Sequence, residues 1–419
     1  MPDLMIFVSK SLLGWLLIQS CLTLIFLWYL RSYKPQLLPD EKLPKTAVIL
    51  CLRGADPFLH HCLRSLLQQN YPQYDLKLII DSQEDPAFKI ARETINELGA
   101  TNVQISLLRA INYNCSLKCS CLIQAISDLD NAYPIIAFID ADIVAHPNWL
   151  RELVTPLIDD KVGLTTGNRW YIPTGNYWGS LVRYCGNVST VVQMFLFQIP
   201  WGGTLAIKTE LLHRINILDK WGQVLTDDIL LHKLIKQEKL QIKFIPSLLM
   251  LNREESSLIN LLESLKRLII SSKLYHPGWL AIISEAYSSI LIPNLVIIII
   301  FYLLIQSQWY AVFLLFSSYI SYTIGLLLLV LLMELGIHQI LHNQSEKIPK
   351  ISPIILLKMF ITIPLTQWVY GLIIISSLWT SSISWRGITY RIQGSENIRL
   401  IEYRPYQWLD QPIDPKTSL

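Results

Sequence analysis

The sequence predicts an α/β domain with a mostly parallel sheet, flanked at both ends by helices long enough to cross a membrane. Of the 419 residues, 52% are hydrophobic and 16% are charged, a balance that excludes an ordinary soluble protein. The apolar excess lies near the N-terminus and beyond Pro277. Between these regions, short apolar runs alternate with amphipathic stretches, which is typical of parallel strands joined by helical crossovers.

The apolar segments predict a multi-pass integral membrane protein. Residues 11–31 form a run of the length that a bilayer requires, and the basic linker after it predicts that the domain lies on the cytosolic face. Further apolar segments are expected at 279–306, 309–334 and 354–380. The basic tail around Arg386 is also expected in the cytosol, whereas four crossings would return the chain to the side of its N-terminus. We therefore expect one of the four segments to be interfacial or doubled.

The predicted organisation has five parts. They are an N-terminal anchor (1–34), the α/β domain (35–257), an amphipathic interfacial helix (258–277), a C-terminal transmembrane region (278–381) and a cytosolic tail (382–419). Within the domain, strands are expected at 47–52, 76–80, 103–107 and 135–139, and helices at 57–69, 87–98, 117–130, 148–158 and 228–239. The net charge of +3 is too small to indicate a nucleic-acid partner, and the seven cysteines without paired spacing are expected to be reduced thiols.

Two carboxylates, Asp140 and Asp142, come directly after the buried strand that ends at Ile139. Residues i and i+2 of an extended backbone point to the same side, so both side chains can meet one ligand. Ligands of open parallel sheets bind at the carboxyl ends of strands, where this pair falls. Hard anionic oxygens suit Mg²⁺ or Mn²⁺, ions that also bind diphosphate. The alternative is a pair of turn aspartates that end a strand.

Two later segments carry features of the same kind. Gly202 and Gly203 permit a close approach of the backbone to a neighbouring group. The run Thr226-Asp227-Asp228 opens a predicted helix. Ordinary helix capping explains an aspartate there equally well. If both carboxylates are buried, Asp227 and Asp228 raise the pKa of one member of the pair.

These motifs occur in a fixed order along the chain: Asp81 after the second strand, the DxD pair, the two glycines and the Thr-Asp-Asp run. In this order the chain resembles membrane-bound family 2 glycosyltransferases of the GT-A fold, a Rossmann-like α/β fold. More narrowly, it resembles the ceramide glucosyltransferase group. The narrower resemblance rests on Asp85-Pro86-Ala87, on Lys118, and on the tail motif Trp385-Arg386-Gly387.

The resemblance implies an inverting transfer of a hexose, glucose, from a UDP-sugar to a membrane lipid alcohol such as ceramide or diacylglycerol. It implies that Asp228 is the general base and that Asp142, with Asp140, binds Mg²⁺ or Mn²⁺. The remaining residues are expected to contact the donor or to border the sugar site: Asp81, Asp85, Lys118, Asp140, Asp227, Gly202, Gly203 and Arg267. For Asp85, a turn role before Pro86 is the alternative.

The sequence departs from the family at one motif. The interfacial helix of the family carries (Q/R)xxRW, and the matching stretch here is Arg267-Leu268-Ile269-Ile270-Ser271. Either Arg267, Lys266 or Lys273 supplies the missing charge, or activity and donor choice differ. A processive polysaccharide synthase is a weaker alternative, because it requires the intact motif and more spans. A degenerate scaffold is weaker too, because the three key aspartates (140, 142 and 228) are retained.

Overall fold

The computed structural model describes residues 2–35, 37–173, 175–343 and 351–406. Its main sheet has seven strands: β1 (Thr46–Leu52), β2 (Tyr74–Ile80), β3 (Val103–Leu107), β4 (Ile135–Ile139), β5 (Val162–Tyr171), β6 (Thr204–Lys208) and β7 (Gln241–Asn252). The strand order is β3-β2-β1-β4-β6-β5-β7. β6 is antiparallel to both of its neighbours, and the other pairs are parallel.

Helices cover this sheet and extend from it. They are α1 (Pro2–Ser32), α2 (Leu59–Leu67), α3 (Pro86–Leu98), α4 (Leu117–Ser127), α5 (Trp149–Val154), α6 (Trp178–Leu196), α7 (Thr209–Arg214), α8 (Ile217–Trp221), α9 (Ile229–Gln237), α10 (Leu258–Tyr275), α11 (Trp279–Ile305), α12 (Trp309–Asn343) and α13 (Pro353–Trp379). The four strands predicted in the first part of the domain are all present. No strand was predicted for β5, β6 or β7, and no helix for α6, α7 or α8.

Strand β4 lies in the middle of the sheet, and all of its residues are buried. Because side chains alternate along a strand, Phe138 packs into one core, while Ala137 and Ile139 pack into the core on the other face. The Phe138 ring meets the Trp221 ring edge-on at 5.9 Å. This two-sided packing holds the end of β4, and with it the DxD pair, in one position.

Four helices, α1, α11, α12 and α13, are long and apolar enough to cross a membrane, which indicates a membrane protein. The C-terminal half of α1 packs on the α/β domain, where Phe26 and Leu30 meet Phe244. At the opposite end, Leu12 packs with Leu303 of α11 and Leu315 of α12. These three helices therefore extend away from the domain together.

Helix α13 behaves differently, because the domain contacts it near both ends. Near its start, Lys358 Nζ donates to the backbone oxygen of Gly175 at 2.9 Å. Near its end, Lys273 Nζ of α10 donates to the oxygen of Leu378 at 3.3 Å. Between these points the helix packs on α6 and α10 through Val369 and Ile373. Helix α13 thus packs on α6 and α10, and through Gln367 and Tyr322 it also contacts α12.

The predicted tail is folded over most of its described length. It forms a three-stranded antiparallel sheet of β8 (Ser382–Trp385), β9 (Ile388–Gly394) and β10 (Asn397–Tyr403). Apolar side chains with a period of two drive this folding, since Ile388, Tyr390 and Ile392 are buried on one face of β9. Residues 407–419 of the predicted tail lie outside the described part of the chain.

Candidate active site

The ends of several strands meet at one edge of the main sheet. Because β6 is antiparallel to β4, Thr204 pairs with Ile139, and the two glycines before Thr204 lie beside Asp140. A Cβ atom on Gly203 would lie 2.7 Å from Asp140 Oδ2, and one on Gly202 would lie 2.5 Å from Asp227 Oδ2. The Asp227 carboxylate therefore leaves no room for a side chain at position 202, and the Trp201 ring together with the Asp140 carboxylate leaves none at position 203.

Lys118 joins two of these carboxylates. It extends from the first turn of α4, and its Nζ lies 2.9 Å from Asp140 Oδ1 and 3.3 Å from Asp227 Oδ2. Burial lowers the pKa of Lys118, but the nearby carboxylates outweigh burial and hold that pKa well above its ordinary value. Burial raises the pKa of Asp140, and Lys118 and Arg169 lower it to a net value below the ordinary one. Both groups are charged at neutral pH.

The two adjacent aspartates at the start of α9 have different surroundings. Asp228 Oδ2 accepts from the Gly202 backbone N–H at 2.8 Å, and its Oδ1 accepts from the Thr226 hydroxyl at 2.6 Å and from the Ile229 N–H at 2.7 Å. The side chain of Asp227 is only 7% exposed. Burial, opposed by Lys118 and reinforced by Asp228, raises the pKa of Asp227 to about 6. Asp228 thus caps the helix, while Asp227 faces Lys118.

Asp142 has one occupied oxygen and one without a partner. Its Oδ2 lies 3.3 Å from Arg169 Nη1 and accepts from Asn252 Nδ2 at 2.8 Å. Its Oδ1 is buried and has no hydrogen-bond partner among the described residues. Arg169 and Asn252 are site residues that were not predicted from the sequence. Both residues lie near the ends of apolar strands at this sheet edge, and that position in the sequence is the signal that could have identified them.

The DxD pair fits a hard divalent cation. An unpartnered carboxylate oxygen on Asp142, close to a second carboxylate two residues away, is the donor type that Mg²⁺ and Mn²⁺ prefer. No group of three or more His, Cys, Asp or Glu residues that could hold a metal ion occurs among the described residues. A cation bound here would therefore need further oxygens from a ligand such as a diphosphate.

Asp81 and Asp85 lie at the end of β2, apart from the carboxylates that surround Lys118. Asp85 caps α3, since its Oδ1 accepts from the Ala87 N–H at 2.8 Å and its carboxylate accepts from the Gly54 N–H at 3.0 Å. Asp81 forms an ion pair with Arg53, and its Oδ1 accepts from the Tyr403 hydroxyl at 2.8 Å. The turn role considered for Asp85 is therefore present, and the donor role predicted for both aspartates stays a prediction.

The C-terminal sheet completes this side of the site. The ring of Trp385 lies 4.8 Å from the guanidinium of Arg267 and 4.8 Å from that of Arg386. Arg386 also forms an ion pair with Asp56, and Arg53 Nε donates to the backbone oxygen of Arg386 at 3.1 Å. Burial, Arg169 and Arg386 lower the pKa of Arg267. A tryptophan and a second arginine thus adjoin Arg267, although α10 lacks them.

The position of the altered motif explains part of its sequence. Ile270 and Ser271 occupy the positions of the family's Arg-Trp pair, and both are buried. Ile270 belongs to the hydrophobic core beneath the sheet. An arginine at position 270 would replace an apolar side chain of this core with a charged one, which is unfavourable unless the charge is paired.

Comparison with known proteins establishes the family. The profile described as Glycosyl transferase family 21 matches residues 12–398. The chain belongs to glycosyl transferase family 21. A ceramide glucosyltransferase from Pyricularia oryzae is 38% identical to this family 21 chain over 112 residues, which are 24% of this chain and 23% of the relative. The match thus spans about a quarter of that relative's length.

The fold is shared with a solved enzyme. A mannosyltransferase from Pyrobaculum calidifontis, in complex with GDP-Man and Mn²⁺, is 15% identical and aligns over 89% of this family 21 chain and 99% of its own, with a TM-score of 0.51. At this identity the likeness shows the fold alone. Together, the family and the fold confirm the predicted GT-A architecture and the resemblance to the ceramide glucosyltransferase group.

In this family 21 glycosyltransferase, the predicted site residues fall into two groups. The first group surrounds Lys118 and consists of Asp140, Asp227, Gly202 and Gly203, with Asp142 and Asp228 adjoining it. The second group consists of Asp81, Asp85 and Arg267, whose contacts involve the end of β1 or the C-terminal sheet.

Proposed function

We propose that this protein transfers a hexose, glucose, from a UDP-sugar to the hydroxyl of a membrane lipid such as ceramide, with inversion at the anomeric carbon. The observation that carries the proposal is the buried, unpartnered Oδ1 of Asp142 beside the Lys118–Asp140 ion pair. This arrangement combines a site for a hard cation with a fixed positive charge, and a diphosphate leaving group requires both.

The donor side of the site follows from its charges. Asp142 and Asp140 hold Mg²⁺ or Mn²⁺, which supplies Lewis-acid neutralisation of the departing UDP when it is bound. Lys118 and Arg169 orient these two carboxylates and present positive charge toward the diphosphate. Arg267 lies close enough to Asp140 and Asp142 to influence them electrostatically, and it serves the same diphosphate.

The acceptor side requires a carboxylate within reach of an alcohol. The lipid oxygen attacks the anomeric carbon, the bond from that carbon to the diphosphate oxygen breaks, and the hydroxyl proton passes to Asp228. The backbone N–H of Gly202 and the Thr226 hydroxyl hold the Asp228 carboxylate in one orientation. Asp227, beside it, keeps Lys118 in place. A single displacement of this kind inverts the sugar.

The transfer assay uses the purified full chain in detergent with labelled UDP-glucose, Mn²⁺ and ceramide. We expect glucosylceramide from the wild type, and a loss of at least about 100-fold in Asp228→Asn and in Asp142→Ala, the range typical of a general base or a required metal ligand. Asp160→Asn is the control, because the Asp160 side chain is fully exposed at a distant loop. Absence of both transfer and donor hydrolysis with every UDP-sugar and lipid tested would instead favour a scaffold.

We also propose that the catalytic domain lies on the cytosolic face and that α1, α11 and α12 cross the membrane while α13 lies along its surface. Contacts at both ends of α13 support this arrangement, and so does its exposed apolar stripe of Ile354, Leu357, Ile361, Trp368, Leu372, Ile375 and Trp379. Three crossings place the N-terminus opposite the domain and remove the conflict between the basic linker and the basic tail.

Cysteine labelling tests this topology. In a cysteine-free background, Ser307→Cys, between α11 and α12, is expected to react with an impermeant maleimide from outside. Ser395→Cys, between β9 and β10, is expected to react only after permeabilisation. Labelling of position 395 in intact cells contradicts the proposed orientation.

A further inference from the structure

A cavity lies where the catalytic domain meets the apolar helices. Its volume is about 220 Å³, and its walls come from α6 and from α1, α11, α12 and α13. Most of the lining is aliphatic or aromatic. Polar side chains also line it, among them Gln19, Gln193, Glu285, Ser289, Tyr322 and Gln367. A mostly apolar cavity with a few convergent polar groups is the usual form of a binding site for a small molecule or a lipid.

The polar groups of this cavity form a connected network. Gln19 Nε2 donates to Ser289 Oγ at 3.1 Å, and Ser289 Oγ lies 3.3 Å from Glu285 Oε1, which also places it close to the Gln193–Glu285 hydrogen bond. On the other side, Gln367 Nε2 lies 3.3 Å from the Tyr322 hydroxyl. An ionisable residue such as Glu285 within an apolar helix is costly unless it serves a function.

One acceptor atom in the cavity lacks a donor. Gln367 Oε1 is buried and has no hydrogen-bond partner in the part of the chain that the structure describes. An unsatisfied buried amide oxygen costs about 1–3 kcal/mol, which a ligand N–H or O–H would recover. A ligand group that donates a hydrogen bond to this oxygen would therefore gain affinity.

Charge excludes one large class of lipids. None of the described residues that line the cavity is a lysine, arginine or histidine, and Glu285 adds a negative charge or a carboxyl group. A phosphorylated headgroup would meet no counter-charge there and would lie beside Glu285. Neutral lipids with hydroxyl or amide donors have no such penalty.

The cavity is linked to the catalytic edge through α6 and the segment after it. Asn187 of α6, flanked by the lining residues Gly186 and Val188, donates to the backbone oxygen of Arg169 at 3.2 Å. At the other end of α6, Phe197 lines the cavity. The chain then runs through Trp201 to Gly202, whose N–H binds Asp228.

We infer that this cavity binds the acceptor lipid, and that it selects a neutral lipid whose backbone carries an amide N–H and a hydroxyl group. The inference rests on the proposed function for the identity of the bound lipid as acceptor. Gln367 Oε1 accepts from the amide N–H, and the Glu285 carboxylate accepts from a hydroxyl group. Diacylglycerol has a hydroxyl group but no N–H, so it satisfies only part of this network.

Photo-crosslinking of the full chain in phosphatidylcholine nanodiscs tests the site directly. The probe is a ceramide with a diazirine in its acyl chain and a terminal alkyne. We expect crosslinked peptides from α6, α11 and α13, competition by excess ceramide, and no competition by ceramide 1-phosphate. Labelling that maps outside the cavity lining, or competition by ceramide 1-phosphate equal to that by ceramide, overturns the inference.

Two variants and a matched control complete the experiment. Gln367→Met removes the acceptor, and Ala286→Phe fills the cavity without changing a polar group; each is expected to reduce crosslinking at least fivefold. Ser288→Ala is the control, because Ser288 neighbours Ser289 but bonds to the backbone oxygen of Ser284 and does not line the cavity. Equal crosslinking in all three variants overturns the inference, and melting temperatures identify any variant that is merely unfolded.

Transfer to ceramide, measured in parallel, separates the two proposals. If ceramide crosslinks in the cavity but no sugar is transferred, the proposed function fails and the lipid site stands. If sugar is transferred but the crosslinks map elsewhere, the lipid site fails and the function stands. Under both proposals, Gln367→Met raises the KM for ceramide at least tenfold and leaves the KM for UDP-glucose unchanged.

Discussion

The two halves of the catalytic edge are built in different ways. Around Lys118, charged groups from α4, β4 and the start of α9 form direct ion pairs, and their motifs are visible as short runs in the sequence. Around Arg267, the partners come from the C-terminal sheet, and Arg386 lies 330 residues from the Asp56 that it binds. The group around Lys118 comes from short motifs at the edge of the GT-A sheet, whereas the group around Arg267 comes from segments that are far apart in the sequence.

This difference bears on the altered motif of α10. Ile270 and Ser271 are both buried, and neither position of α10 supplies an arginine or a tryptophan to the site. Trp385 and Arg386 place the same two side-chain types beside Arg267. The charges that we propose to face the diphosphate are therefore divided between a part of the chain with strong sequence signals and a part without them.

The largest effect is expected when Lys118 is replaced, because Asp140 and Asp227 then lose the ammonium group that lies between their carboxylates. Lys118→Met should lower kcat/KM by about 100- to 1,000-fold, the range found when one group that stabilises developing charge is removed. The measurement is steady-state glucosyl transfer with saturating Mn²⁺. Lys77→Met is the control, since Lys77 is on the same sheet but bonds to Gln104 at the surface. A change below tenfold at Lys118 would show that the lysine is structural.

A smaller effect is expected at Trp385. Its ring contacts two guanidinium groups, and a partly desolvated cation–π contact contributes about 1–2 kcal/mol. Trp385→Leu should therefore raise the KM for the UDP-sugar about tenfold, with a smaller change in kcat, and Trp385→Phe should recover part of the loss. Trp379→Leu is the control, because the Trp379 side chain is 77% exposed at the end of α13. If both variants behave alike, the C-terminal sheet does not serve the donor site.

The groups around Lys118 and around Arg267 also differ in how much of each could be predicted from the sequence. The strand pattern and the spacing of Asp140 and Asp142 predicted the sheet edge, because parallel strands place their carboxyl ends together. The resemblance to the family added Lys118 and the residues around it. The C-terminal sheet could not be predicted with its contacts, since Arg386 and Asp56 are brought together only by tertiary packing. The course of α13 was also hidden, because a helix that spans a bilayer and one that lies on it can have the same apolar composition.

Two residues near the ends of strands show why some members of the site could not be predicted. Arg169 lies near the end of β5, and its role depends on the pairing of β5 with β7, which brings Asn252 to the same carboxylate. Neither residue belongs to a short motif. Only the strand order, with β6 inserted antiparallel between β4 and β5, places them beside Asp142.

The smallest expected effect is on the pH dependence of activity, and it distinguishes the role of Asp227 from that of Asp228. Burial, with Lys118 opposing it and Asp228 reinforcing it, raises the pKa of Asp227 to about 6. As the pH falls through this value, Asp227 becomes neutral and Lys118 keeps only Asp140 as a partner. We expect kcat/KM to fall to about half of its plateau near pH 6, and we expect Asp227→Asn to lose this acid limb while it retains a reduced plateau.

The raised pKa of Asp227 also predicts how the stability of the folded protein changes with pH. A carboxyl group whose pKa is higher in the folded state than in the unfolded state binds its proton more tightly when folded, so its contribution destabilises the fold above about pH 6 and vanishes below about pH 4. Asp227→Asn should therefore melt at a higher temperature than the wild type at pH 7.5, and the difference should shrink toward zero at pH 4. A melting difference that is independent of pH would show that Asp227 is ionised in the folded protein throughout this range, and that the acid limb of the activity belongs to another group.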